Sequence, residues 1–130
     1  MTHDERRKHV RVTVRIPATI GVMVPEATFQ PRLHQATVLD LSEKGAMIHA
    51  LLSEETYREL LQGLRYCRLT FADEPRLPSR IIGSAVYFQP ISHPNKRTEY
   101  RMGLFFDEIS ASDQDKLRTF IERIAAEETR

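Results

Sequence analysis

The chain has 130 residues, with 19 Lys and Arg against 18 Asp and Glu and a formal net charge of +1. That length suits one domain around one core, and the near-zero charge gives no reason to expect a bulk nucleic-acid binder. No apolar run is long enough to span a bilayer and no signal-peptide pattern precedes the first strand. Cys67 is the only cysteine, which excludes an internal disulfide framework and fits a reducing, cytoplasmic location.

Charge is unevenly spread. Residues 1 to 15 carry five cations (Arg6, Arg7, Lys8, Arg11, Arg15) against Asp4 and Glu5, so positive charge is concentrated at one end. The polar segment 1–9 has no large apolar residue after Met1, so it is expected to order only when something pins it. From Val10 the apolar residues fall on even positions: Val12, Val14, Ile16, Ala18, Ile20 and Val22, then Val24. That period of two predicts a long strand with one buried face, and Pro17 within it predicts an edge, a bulge or a bend. A polar turn around Pro25 and Pro31 follows. QATVLDL (35–41) reads as the returning strand, SEKG as a tight turn and AMIHALL as a third strand.

Residues 54–62 break the rhythm and predict a short inserted helix, capped by Ser53 and stopped at Gly63. Strands resume at LRYCRLTF, RIIGSAVYF and EYRMGLFF, the last two joined through HPNKR. Ser110 or Ser112 then caps a helix over 110–128, in which Leu117, Phe120, Ile121 and Ile124 repeat at helical spacing. The pattern predicts a mainly β fold: a six-stranded antiparallel barrel over 10–107, plugged or flanked by the C-terminal helix.

Two stretches carry candidate chemistry. Arg6, Arg7 and Arg11 offer planar forks suited to phosphate, and the same fork matches O6 and N7 of guanine. In DLSEKG, Asp40 and Ser42 stand two apart on one strand face, and Gly45 is expected to give the turn a positive φ. Taken singly, each has a plainer reading: a solvated basic tail, and a hairpin whose Asp and Ser bond to their own backbone. Together they supply a carboxylate for the paired N–H donors of guanine and cations for its other edge and a phosphate.

RKHVR (Arg7 to Arg11) fits RxxxR, and DLSEKG (Asp40 to Gly45) fits DxSxxG. The pairing, in this order, resembles the PilZ domain family across nearly the whole chain, including the GLFF strand and the closing helix. The resemblance implies a six-stranded barrel with a C-terminal helix that binds the bacterial second messenger cyclic di-GMP. It implies phosphate and guanine contacts from Arg7 and Arg11, guanine-edge contacts from Asp40 and Ser42, and a presenting turn at Gly45. Arg6, just before the motif, implies an intercalated pair of ligands rather than one. Tyr87 falls where some members place an aromatic against the base, although an ordinary barrel side chain is as good a reading. The inserted helix has no counterpart from which contacts carry over.

The remaining residues offer no enzyme and no cofactor. The five histidines are scattered, with no zinc spacing for a metal; Ser42 has neither a His partner nor a nucleophile elbow, and no Gly-rich phosphate loop exists. The resulting expectation is a cyclic di-GMP receptor that reshapes its N-terminal segment and signals to a separate downstream effector protein, with no membrane partner. Two alternatives stand beside it: a PilZ-like interaction module that no longer binds nucleotide, and a small nucleic-acid-binding barrel.

Overall fold

The computed structural model describes residues 10–23, 32–91 and 99–128. The segment 1–9, the turn around Pro25 and Pro31 and the HPNKR loop lie outside them.

Six strands appear: β1 (Val12–Val22), β2 (Leu33–Leu41), β3 (Gly45–Leu51), β4 (Tyr66–Phe71), β5 (Arg80–Pro90) and β6 (Glu99–Glu108). They close in the order β1-β2-β3-β6-β5-β4, every neighbouring pair antiparallel. Because β1 pairs with both β2 and β4, the barrel has no open edge to protect.

Alternation along β1 reaches the core as expected: Val12, Ile16, Ala18, Ile20 and Val22 are all buried. They meet Val38 and Leu41 of β2, Ile48 of β3, Leu69 of β4, Ile81 of β5 and Met102 and Leu104 of β6 in one continuous cluster. The irregularity expected at Pro17 lies just upstream, where the β1–β2 register shifts between Thr13 and Ile16. Pro17 itself pairs with Thr37, while the ladder to β4 begins only at Ala18. Its missing donor is therefore placed where one side of the strand has no ladder to satisfy.

Helix α1 (Glu54–Leu61) fills the link between β3 and β4. Ser53 caps it, its Oγ accepting from the Thr56 N–H at 3.1 Å, and Gly63 beyond the end has φ of 105°, where a side chain would be strained. Thr56 and Leu60 are buried, and the Tyr57 ring stacks on Tyr100 with centroids 4.6 Å apart and meets Phe88 edge-on. Helix α2 (Ala111–Glu128) follows β6. Of the two serines that the sequence offers as caps, Ser110 does the work, accepting from the Asp113 N–H at 3.1 Å. Leu117, Phe120 and Ile121 are buried against the barrel. The two helices thus close opposite ends: α1 where β3 finishes and β6 begins, α2 where β6 finishes and β3 begins.

Candidate functional site

The α2 end of the barrel is where the start of β1, the end of β2 and the start of β3 converge. Thr13 of β1 pairs with Asp40 of β2, and Asp40 with Met47 of β3. This register brings Arg11 beside Asp40: Arg11 Nη1 donates to Asp40 Oδ1 at 2.8 Å. The guanidinium side chain is 58% exposed and the carboxylate 19%, so the pair sits at the surface with the carboxylate partly recessed. Register shifts on both flanks of this point, Thr13/Ile16 against β2 and Val38/Asp40 against β3, turn the strand ends and aim these side chains outward.

Two details of the turn differ from expectation. Asp40 and Ser42 do not share a face. β2 ends at Leu41 and the chain bends, so Asp40 stays partly exposed while Ser42 is only 2% exposed. Ser42 Oγ accepts from the Lys44 N–H (3.1 Å) and the Gly45 N–H (3.2 Å) and donates to the Gly45 carbonyl (3.3 Å). Its hydroxyl is engaged in holding the turn.

Gly45 does not need a positive φ, which among the described glycines belongs to Gly63 alone. It is required because β3 and β6 approach closely there: a Cβ would run into the Leu104 carbonyl oxygen. The turn is braced from outside as well. Phe106 N–H donates to the Lys44 carbonyl at 2.8 Å, and Glu43 Oε1 lies 3.5 Å from Arg118 Nε on α2. Arg118 also donates to Asp115 at 2.7 Å.

Tyr87 lies on the same outer face, across the sheet. The row runs Asp40–Met47–Gly103–Tyr87, crossing β2, β3, β6 and β5. Three strand spacings separate its ends by roughly 14 Å along the sheet. The Tyr87 ring lies over Gly103, which has no side chain to hold it off, and the residue remains 39% exposed. Met47 and Gly103, between the two candidate contacts, were not singled out from the sequence. The alternation in AMIHALL does place Met47 on an outward face, but only the pairing with Asp40 shows why that matters. Arg6 and Arg7 lie outside the described residues. Of the proposed contacts, the structure therefore joins Arg11 to Asp40, sets Ser42 and Gly45 into the turn beside them, and leaves Tyr87 at the far end of the row.

What results is a closed antiparallel barrel that displays an exposed guanidinium–carboxylate pair and an aromatic ring on one outer face, an arrangement suited to a flat, anionic, hydrogen-bonding ligand. The PilZ domain model matches residues 5–123, and the chain belongs to that family. No curated protein sequence matches it significantly. Among solved structures it is similar to the PilZ domain of YcgR from Escherichia coli, determined with c-di-GMP, at a TM-score of 0.62 and 11% identity over 94% of this chain and 93% of that one. It is also similar to the Bacillus subtilis inhibitor of motility MotI/DgrA (TM-score 0.60, 19% identity, 94% of this chain and 52% of that one). A third similar structure is that of MrkH, a c-di-GMP-dependent transcription regulatory factor (TM-score 0.59, 13% identity, 94% of this chain and 52% of that one). At these identities the likeness is one of fold, and the chain spans about half the length of the last two.

Proposed function

We propose that this chain is a cyclic di-GMP receptor that binds nucleotide on the outer face at the α2 end of the barrel and passes the signal to a partner protein. The observation that carries this reading is the Arg11–Asp40 pair at 2.8 Å, exposed and set beside the Ser42–Gly45 turn. Without ligand each group neutralises the other. An exposed pair of this kind contributes only about 0–1 kcal/mol, whereas a hydrogen bond to a charged group contributes about 1.5–3 kcal/mol. A nucleotide that offers guanine N1–H and N2–H to Asp40, and O6, N7 or a phosphate to Arg11, replaces one weak contact with several stronger ones. Ser42 and Gly45 act by shaping the turn, and Tyr87 supplies a stacking face for a base at the other end of the row.

The leader completes the site. Arg6, Arg7 and Lys8 add three further cations of like sign for the phosphates to offset, so bound nucleotide is expected to draw residues 1–9 across the barrel face. The test is calorimetry with cyclic di-GMP, GTP and a short single-stranded oligonucleotide. Saturable binding of cyclic di-GMP, weakened by about 1.5–3 kcal/mol in Arg11→Ala, is the expected result. Tighter binding of the oligonucleotide, or silence from all three, overturns the proposal. Amide exchange gives a second readout: residues 1–9 should exchange more slowly once nucleotide is bound.

A further inference from the structure

Helix α2 has a second face that packing against the barrel does not use. Ser112, Lys116, Thr119 and Arg123 recur at spacings of four, three and four, which places them in one stripe beside the buried Leu117–Phe120–Ile121 side. Arg76, in the link between β4 and β5, walls the stripe on one flank, its guanidinium 4.8 Å from the centroid of the Phe120 ring. Between them lies a hollow of about 340 Å³. Every residue lining it is exposed except Phe120 at its base, which is 4% exposed. A small molecule in so open a trough would keep much of its surface in water, so the shape favours a segment of another protein.

Charge narrows the occupant. Arg76 is held by both carboxylate oxygens of Glu74, and Glu127 farther along α2 also acts on it. Asp115 is held by Arg118. The cations left for a visitor are Lys116 and Arg123, seven residues or about 10.5 Å apart on the helix, with the small side chains of Ser112 and Thr119 allowing close approach. Two cations among several carboxylates are a poor match for a nucleic-acid backbone. They are a good match for carboxylates one heptad apart on a facing helix.

We propose that this stripe of α2, with Arg76, is the docking surface for an acidic amphipathic helix of a partner protein, carrying carboxylates at i and i+7 and an apolar residue between them over the Phe120 base. The surface names the chemistry of the partner that the signalling reading calls for, and it rests on that reading only for its control by nucleotide. The connection is direct: Arg118, on the same helix, reaches Glu43 in the turn beside Asp40.

The probe is a fluorescein-labelled helical peptide with glutamates at i and i+7 and leucines at i+3 and i+4, followed by anisotropy against the full chain saturated with cyclic di-GMP. Saturable binding is expected. The exposed double substitution Lys116→Glu/Arg123→Glu should weaken it by roughly tenfold, and a peptide with lysines in place of the glutamates should bind that variant and restore the signal. No saturable binding, or equal binding to the double variant, overturns the inference. Nucleotide affinity of the double variant, measured in parallel, should match the parent. Nucleotide binding without peptide binding defeats the docking surface alone, whereas peptide binding without any nucleotide binding supports the surface and defeats the receptor reading.

Discussion

Arg11 and Asp40 already answer each other's charge at 2.8 Å, so each is poised at the cost of little stability. Arg11→Ala and Asp40→Ala should each weaken cyclic di-GMP binding by about 1.5–3 kcal/mol in calorimetry. The same variants should leave the unliganded protein within about 1 kcal/mol of the parent in urea denaturation, because the pair they break is exposed. Ser42→Ala should behave in the opposite way. The Ser42 hydroxyl is buried and serves two N–H groups and a carbonyl of its own turn. Its loss should destabilise the unliganded protein by about 1–3 kcal/mol, with a fall in affinity that follows the damaged turn. The contrast separates a residue that meets ligand from one that holds its neighbours in place. A Ser42→Ala variant of full stability but impaired binding would reverse that assignment. Gly45 allows less latitude, since any side chain meets the Leu104 carbonyl of the adjoining strand.

At the scale of elements, α1 is pinned to β2 by a small polar network. Ser53 Oγ donates to Thr56 Oγ1 at 3.0 Å, and Thr56 Oγ1 lies within hydrogen-bond distance of His34 Nε2 at 2.9 Å. Burial lowers the His34 pKa from its ordinary value of 6.5, and Arg32 lowers it further against the opposing pull of Glu59. Glu55, at the start of α1, pairs with Arg32. The unfolded chain therefore takes up the His34 proton more readily than the folded one. This contribution to stability is complete above pH 6.5 and is lost as pH falls toward the lower folded value. The stability difference between the parent and His34→Gln should accordingly shrink below pH 6.5 and level off above it; a difference independent of pH would remove His34 from the account. Local signals announced this helix well: the Ser53 cap and the Gly63 stop stand in the sequence, as do the period of two in β1 and the apolar stripe of α2. Features made by strands distant in the chain were not announced. The reason for Gly45 lies on β6, and the seat of the Tyr87 ring is Gly103. Glu43 meets Arg118 only because α2 returns to the end of the barrel from which β3 starts. Asp40 and Ser42 looked equivalent because spacing by two implies one face, and a strand that stops between them breaks that implication.

The molecule as a whole is a closed barrel capped at both ends, and that closure decides what form a response to ligand takes. With β1 bonded on both sides and the core continuous through all six strands, opening the barrel would expose buried side chains on every strand. The response is therefore expected at the periphery, in the leader, the Asp40–Gly45 turn and α2, while the barrel serves as a fixed platform. The cations before β1 are then expected to set how much anion the platform holds. Residues 1 to 15 carry a local excess of positive charge that the rest of the chain lacks. One cyclic di-GMP brings two phosphates and an intercalated pair brings four, so the second molecule is the one that needs an additional guanidinium, to stack on a base and offset charge. Arg6 is the residue proposed for that task. A calorimetric titration of the parent chain should reach its endpoint at a pair of nucleotides per chain, and Arg6→Leu should bring it to a single one. Arg7→Ala should instead weaken binding by about 1.5–3 kcal/mol. If the Arg6→Leu titration ends at the same molar ratio as the parent, the pair is held by something other than Arg6, and the charge argument for the leader has to be rebuilt around Arg7 and Lys8.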